Sequence, residues 1–139
     1  EPVGRKLDFL VQEMNREVLS HYNCMTVGEM PGATPDDAMR YTNPDHHEVN
    51  MVFTFEHVDL DGSEGDKWDV KELKLSVLKR VRSKWQTALH GAGWNSLYWN
   101  NHDQPRAVSR FGNDTGEYRV KSAKMLATCL HLMQGTPYI

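Results

Sequence analysis

The sequence predicts an α/β fold built on parallel strands, and three observations carry that reading. Helix-period and strand-type segments alternate from one end of the chain to the other. Two short apolar runs each stop in polar residues. Met25-Thr26-Val27-Gly28 leads into Glu29 and a Pro31-Gly32 turn, and Leu97-Tyr98-Trp99 leads into Asn100-Asn101-His102-Asp103-Gln104-Pro105-Arg106. Buried strands that deliver polar side chains at their C-terminal ends are how parallel α/β folds build sites. Finally, the 139 residues are 39% hydrophobic, enough for a core.

The elements follow in order. Leu7, Leu10, Val11, Met14 and Val18 recur at helical spacing and predict an amphipathic helix from about Arg5 to Ser20. Asn23 to Gly28 reads as the first strand. Thr34-Pro35-Asp36-Asp37 is a helix start, with a capping residue, Pro in the first turn and acids at the positive end of the dipole. That helix ends near Tyr41. Val49 to Phe55 alternates apolar and polar positions as a second strand. Asp69 with Glu72 three residues on resembles a capping box. It opens a long helix whose stripe is Val70, Leu73, Val77, Leu78, Val81, Trp85 and Leu89. Gly91 to Gly93 turns into a third strand, Asn95 to Asn100. Glu117 to Gln134 is the next helix, with Ala123, Leu126, Ala127, Leu130 and Met133 on one face, Met125 and Met133 as core filler, and Gly135 as its stop. Thr136 to Ile139 begins a fourth strand.

Repeated βα units require parallel strands with right-handed crossovers. A closed (β/α)8 barrel takes about 250 residues, so the chain holds roughly half of one. The expected fold is a partial (β/α)8 barrel, about its C-terminal half, as one domain fragment over 1–139. The chain opens on Glu1-Pro2-Val3 without an initiator Met and closes in the apolar run Thr136-Pro137-Tyr138-Ile139. Proteins seldom end inside a buried strand, and a piece of a longer protein is the expectation.

A net charge of −3 predicts neither a nucleic-acid nor a membrane-surface partner. No apolar run approaches the roughly 20 residues of a membrane span, and no secretory signal is visible. Cys24 and Cys129 read as reduced core residues rather than a disulfide or metal pair. A cytoplasmic protein is expected. The seven His show no ligand spacing, and His46-His47 reads as a solvated loop. The acidic stretch from Glu56 to Asp66 invites a calcium reading but lacks the ordered spacing of an EF-hand loop. Asn113-Asp114-Thr115 fits the glycosylation pattern, a match common by chance.

The polar cluster offers amide, imidazole, carboxylate and guanidinium groups beside aromatic faces, a set suited to sugar recognition. Together with the Met25-Thr26-Val27-Gly28-Glu29-Met30-Pro31-Gly32 segment, the stretch from Trp94 to Gly112 closely resembles the α-amylase superfamily, glycoside hydrolase family 13. The wording is nearest to its oligo-1,6-glucosidase and α-glucosidase branch. The resemblance covers the whole chain, from the fourth barrel helix to the start of the eighth strand, with Met51 to His57 like the sixth strand.

The family consists of retaining α-glycosidases with three essential carboxylates, and the resemblance implies roles residue by residue. Glu29 matches the general acid/base, Asp103 the carboxylate that stabilises the transition state, and His102 a hydroxyl-binding residue. Phe55 is implied as a wall of the sugar site or as plain barrel core. Arg106 and Arg110 are implied as groups that orient carboxylates or hold hydroxyls, or as surface ion pairs. The aspartate nucleophile matches no segment here and is expected upstream of Glu1, so the isolated fragment is expected to be inactive and the parent active. No cofactor is expected in this segment, although calcium elsewhere in the parent stays open. The expected partners are an α-glucoside oligosaccharide and, through open sheet edges, the missing half of the barrel or a second copy.

Sucrose isomerases of the family tend to carry an aromatic residue where Pro31 stands, and an arginine-bearing loop where His57-Val58-Asp59-Leu60-Asp61 stands. Both departures favour a hydrolase. A phosphorylated substrate, as in trehalose-6-phosphate hydrolases, would want a basic cluster beyond Arg106 and Arg110. Linkage preference leans to α-1,6. The rivals are a non-catalytic amylase-like subunit, against which Glu29 and Asp103 both speak, and an excised half-barrel serving as an assembly module.

Overall fold

The computed structural model describes residues 3–62, 69 and 71–139, with side chains from residue 6 onward. Its elements run α1 (Val3–Glu17), β1 (Val27–Met30), α2 (Pro35–Thr42), β2 (Met51–Thr54), α3 (Leu75–Leu89), β3 (Ser96–Leu97), α4 (Ala107–Phe111), α5 (Tyr118–His131) and β4 (Thr136–Pro137). All strand pairing is parallel. β1 pairs with β2 from Val27 opposite Met51 to Met30 opposite Thr54. A bridge from Val52 to Asn95 links β2 to the start of β3, and β3 pairs with β4. The strands therefore lie side by side in chain order, each reached through a helical crossover. The architecture is α/β, with short parallel strands and no closed barrel among the described residues.

Two apolar clusters hold the layers together. Ala38 and Tyr41 of α2, Val52 of β2, and Val81, Trp85 and Leu89 of α3 form one. Leu78, Leu97, Trp99, Leu126 and Leu130 form the other. α3 serves both because its stripe is wide enough to meet α2 on one side and α5 on the other. The start of α2 follows its sequence. The Thr34 side chain accepts from the Asp37 amide at 3.2 Å, and the Asp37 carboxylate accepts from the Thr34 amide at 2.9 Å.

Several expectations are corrected. α3 begins at Leu75 behind Lys74, which offers no side-chain cap, so Asp69 and Glu72 form no capping box there. Asp69 instead lies 4.0 Å from the Lys71 ammonium, while Val70 lies outside the described residues. The first strand is shifted toward Met30, and the third keeps only Ser96 and Leu97 in its ladder. The short α4 was not foreseen. Cys24 and Cys129 are free and exposed rather than core. Met125, Ala123 and Ala127 are exposed, while Met133 does pack against the second cluster.

α1 departs most from expectation. Of its expected apolar stripe, Leu7, Leu10, Met14 and Val18 (just past its end) are exposed and only Val11 is half-buried. Polar contacts hold the helix instead. Gln12 donates to the buried Glu48 carboxylate at 2.8 Å, Asn15 donates to the Glu48 carbonyl at 3.0 Å, and Asp8 pairs with Arg40. Among the described residues no helix is long and apolar enough to cross a membrane.

Candidate active site

The site begins at the C-terminal ends of the strands. Glu29 stands opposite Phe53 in the β1–β2 register, so both side chains leave the same face of the sheet. The Phe53 ring meets Tyr98 edge-on at 5.2 Å and Tyr138 at 4.6 Å. Residues on β1 and β2 and those directly after β3 and β4 thus form one patch. A cleft of about 280 Å³ opens there, lined by Glu29, Phe53, Tyr98, Asn100, Asn101, His102, Tyr138 and Ile139. A carboxylate, an imidazole and two amides face three aromatic rings across it, a donor and acceptor set fit for a polyhydroxylated ligand with apolar faces.

Tyr98 is the buried floor of the cleft. Its hydroxyl donates to the Thr54 carbonyl at 2.8 Å, and its own carbonyl accepts from Arg82 at 2.8 Å. Burial pushes the Tyr98 phenol well above its ordinary value; Arg82 opposes that shift, and the Asp59 and Glu29 carboxylates add to it. The ring is therefore a neutral, fixed wall.

The stretch after β3 is an ordered turn. The Asp103 amide donates to the Asn101 side chain at 2.9 Å, and the Gln104 amide donates to the Asn101 carbonyl at 3.2 Å. An Asn side chain that caps its own backbone two residues on is a common way to set such a turn. His102 and Asp103 are exposed, at 85% and 68%, with His102 Nε2 3.3 Å from Asp103 Oδ2. His102 lines the cleft with Glu29; Asp103 is its neighbour on the turn and is not part of that lining.

The other expected site residues separate. Phe55 is half-buried behind Tyr98, with ring centroids 6.2 Å apart, and does not line the cleft. Arg106 is exposed at the N-terminal boundary of α4 and also lies outside the lining. Arg110 is neither a surface ion pair nor open to a ligand. Its side chain is 8% exposed and binds both oxygens of Asp61, which is 3% exposed. Glu56 accepts from Lys84 at 2.6 Å and from the Trp85 indole at 2.8 Å. Two acids of the acidic stretch, Glu56 and Asp61, are thus held by the protein's own donors, while Ser63 to Asp66 lie outside the described residues. The pair His46-His47 sits at a 3-10 turn, with His46 Nδ1 2.6 Å from the Arg40 carbonyl.

Sequence reasoning missed Phe53, Tyr98 and Tyr138. The signal for Phe53 was its alternation with Phe55 along one strand, which does not say which of the two reaches the open face.

The model of the alpha-amylase catalytic domain matches residues 3–139. The chain belongs to the alpha-amylase family. Within it, the chain is 63% identical to the oligo-1,6-glucosidase of Parageobacillus thermoglucosidasius over 98% of its own length and 24% of that protein's. A crystal structure of trehalose-6-phosphate hydrolase from Bacillus licheniformis superposes with a TM-score of 0.91 at 53% identity, covering 96% of this chain and 24% of that one. Isomaltulose synthase from Erwinia rhapontici NX5 superposes with a TM-score of 0.90 at 39% identity, with the same coverage. The chain thus spans about a quarter of the length of the alpha-amylase family members it matches. The resemblance read from the Glu29 and Asp103 segments is therefore a family membership.

Proposed function

We propose that the full-length protein carrying this segment is a retaining α-glucosidase. Its substrates would be short oligosaccharides such as isomaltose, with terminal α-1,6 bonds preferred over α-1,4. Residues 1–139 would be about the C-terminal half of its catalytic (β/α)8 barrel. One observation supports this above the rest: Glu29 and His102, from segments far apart in the chain, line one aromatic cleft at the C-terminal ends of β1 and β3, the two parallel strands that flank β2. That is where such barrels place their chemistry.

On this reading Glu29 protonates the glycosidic oxygen as the bond to the anomeric carbon breaks. A nucleophilic aspartate from outside this chain takes that carbon. Glu29 then removes a proton from the water that releases the sugar. Asp103 holds sugar hydroxyls and stabilises the oxocarbenium-like transition state, with His102 binding a hydroxyl beside it. Phe55 backs the Tyr98 wall, and Arg106 reaches substrate from the rim. The chemistry runs on carboxylates and needs no cofactor in this segment. Without the nucleophile the 139 residues alone would be inactive. β1 and β4 would pair with the rest of the barrel or, in the isolated chain, with a second copy. Free, exposed Cys24 and Cys129 suit a reducing, cytoplasmic setting.

The test is turnover of p-nitrophenyl α-glucoside and isomaltose by the full-length protein, with sucrose and trehalose 6-phosphate alongside. The variants Glu29→Gln and Asp103→Asn are each expected to lower kcat by at least ~10³-fold. A parent inert on every α-glucoside would make the amylase-like binding subunit the better reading. Preference for trehalose 6-phosphate or conversion of sucrose would move the protein to another branch of the family.

A further inference from the structure

His102 and Asp103 sit on a turn that belongs to no strand or helix, yet a transition-state carboxylate must be held within about 0.5 Å of its working position. The turn's own Asx hydrogen bond sets its shape but does not tie it to the sheet. Arg110 supplies that tie. Its Nη1 donates to the Gln104 side-chain oxygen at 2.7 Å, next in sequence to Asp103. Its Nε and Nη2 donate to the two oxygens of Asp61, and Nη2 also donates to the Val58 carbonyl. One buried guanidinium therefore joins α4, the catalytic-side turn after β3 and the segment after β2.

We propose that Arg110 is a positioning residue that fixes the His102–Asp103 turn to the Val58–Asp61 segment, and that Gln104 is the hand it holds. The inference rests on the glucosidase reading for its effect on rate. The planar fork is needed because four acceptor oxygens from three residues lie around it, and a lysine ammonium at that site cannot meet an Asp61 carboxylate side-on while reaching Gln104. The Asp61 pair also explains why the fork stays put. With the pair buried, the guanidinium has little freedom to let go of Gln104.

The experiment uses the full-length protein with Gln104→Met and Arg110→Lys. Gln104→Met removes the tether and leaves the buried Arg110–Asp61 pair intact, so it is the decisive variant if Arg110→Lys fails to fold. Displacement of a reacting group by about 1 Å costs on the order of 10²-fold. Gln104→Met is accordingly expected to lose roughly 10- to 100-fold in kcat, with its melting temperature unchanged within about 2 °C. Amide hydrogen exchange should speed up at Asp103 and Gln104 and not elsewhere in the barrel. A merely structural role would leave kcat per folded molecule intact, and that result overturns the proposal, as does full activity in both variants. If the parent itself is inert on α-glucosides, the glucosidase reading fails. Exchange at Asp103 and Gln104 then decides the tether alone, with unchanged protection in Gln104→Met refuting it.

Discussion

His57 makes the protein acid-sensitive in a way that can be worked out from its surroundings. It lies in the 3-10 turn Glu56–Val58 after β2 and is 2% exposed. The Tyr98 ring meets it edge-on at 4.6 Å and the Trp99 ring at 6.4 Å. Its Nε2 has no hydrogen-bond partner among the described residues. Burial holds its imidazolium well below the ordinary histidine range, the Arg82 charge and then Arg110 push the same way, and only a backbone hydrogen bond at Tyr98 opposes them. The folded protein therefore keeps His57 neutral where the unfolded chain, with a pKa of about 6.5, takes up a proton. The stabilising contribution is complete above that value and is lost as pH falls below it. One site of this kind weakens the fold by on the order of 1 kcal/mol between pH 7.5 and pH 5.5. The measurement is the stability difference between the wild type and His57→Gln in the full-length protein across that range, because other titrating groups cancel in the difference. The variant is less stable at pH 7.5, where it loses the ring contacts, and the gap should narrow by on the order of 1 kcal/mol on acidification. A gap that stays constant within about 0.3 kcal/mol, or one that widens, refutes the argument, since a solvent-accessible or paired histidine would behave that way.

Two further outcomes follow from the β3–β4 end of the sheet. Gly135 has φ 151°, and a Cβ there would stand 2.6 Å from the Asn95 carbonyl oxygen and 2.8 Å from Leu97 Cγ. Gly135→Ala should cost about 1–3 kcal/mol in thermal unfolding and raise KM, because moving β4 displaces Tyr138 at the cleft; an unchanged KM with full stability would contradict it. Leu97 is 2% exposed and packs among Trp99, Leu126 and Leu130. Leu97→Ala should lose about 2–5 kcal/mol, read as a lowered melting temperature, and a loss under about 1 kcal/mol would mean that this cluster collapses to fill the space.

The order of elements was legible because hydrophobic period is written locally. So was the start of α2, where cap, proline and acids agree within four residues. The start of α3 was not. Asp69 and Glu72 have the right spacing for a cap, but a helix begins where its stripe can first reach a core, and the first buried residue of α3 is Leu78. Helix α4 spans Ala107–Phe111, too short to show a period, and is anchored by Arg110 through contacts to residues far away in sequence. α1 shows the converse. Its stripe of Leu7, Leu10, Val11, Met14 and Val18 was read correctly as amphipathic, yet all but Val11 are exposed. A hydrophobic pattern says that a helix has a face to bury and does not say against what, and here polar contacts to Glu48 and Arg40 set its place instead.

The same division runs through the site. Glu29 and His102 could be found because a polar residue that interrupts an apolar run is visible in one dimension, and parallel pairing brings such interruptions to the same edge. Phe53 could not be separated from Phe55, since both sit on alternate positions of one strand and only the register with Glu29 says which one faces the opening. Asp103 and His102 are adjacent in sequence and their side chains lie 3.3 Å apart, yet only His102 lines the cleft, a difference that adjacency on a turn does not reveal. Asp61 read as one acid of an acidic loop. It is buried because the strand order puts it within reach of Arg110, a pairing that no local pattern encodes. What can be read from sequence is therefore the chemistry each strand end offers. Which of those groups meet depends on how the strands pair and on which cations bring the loops between them together.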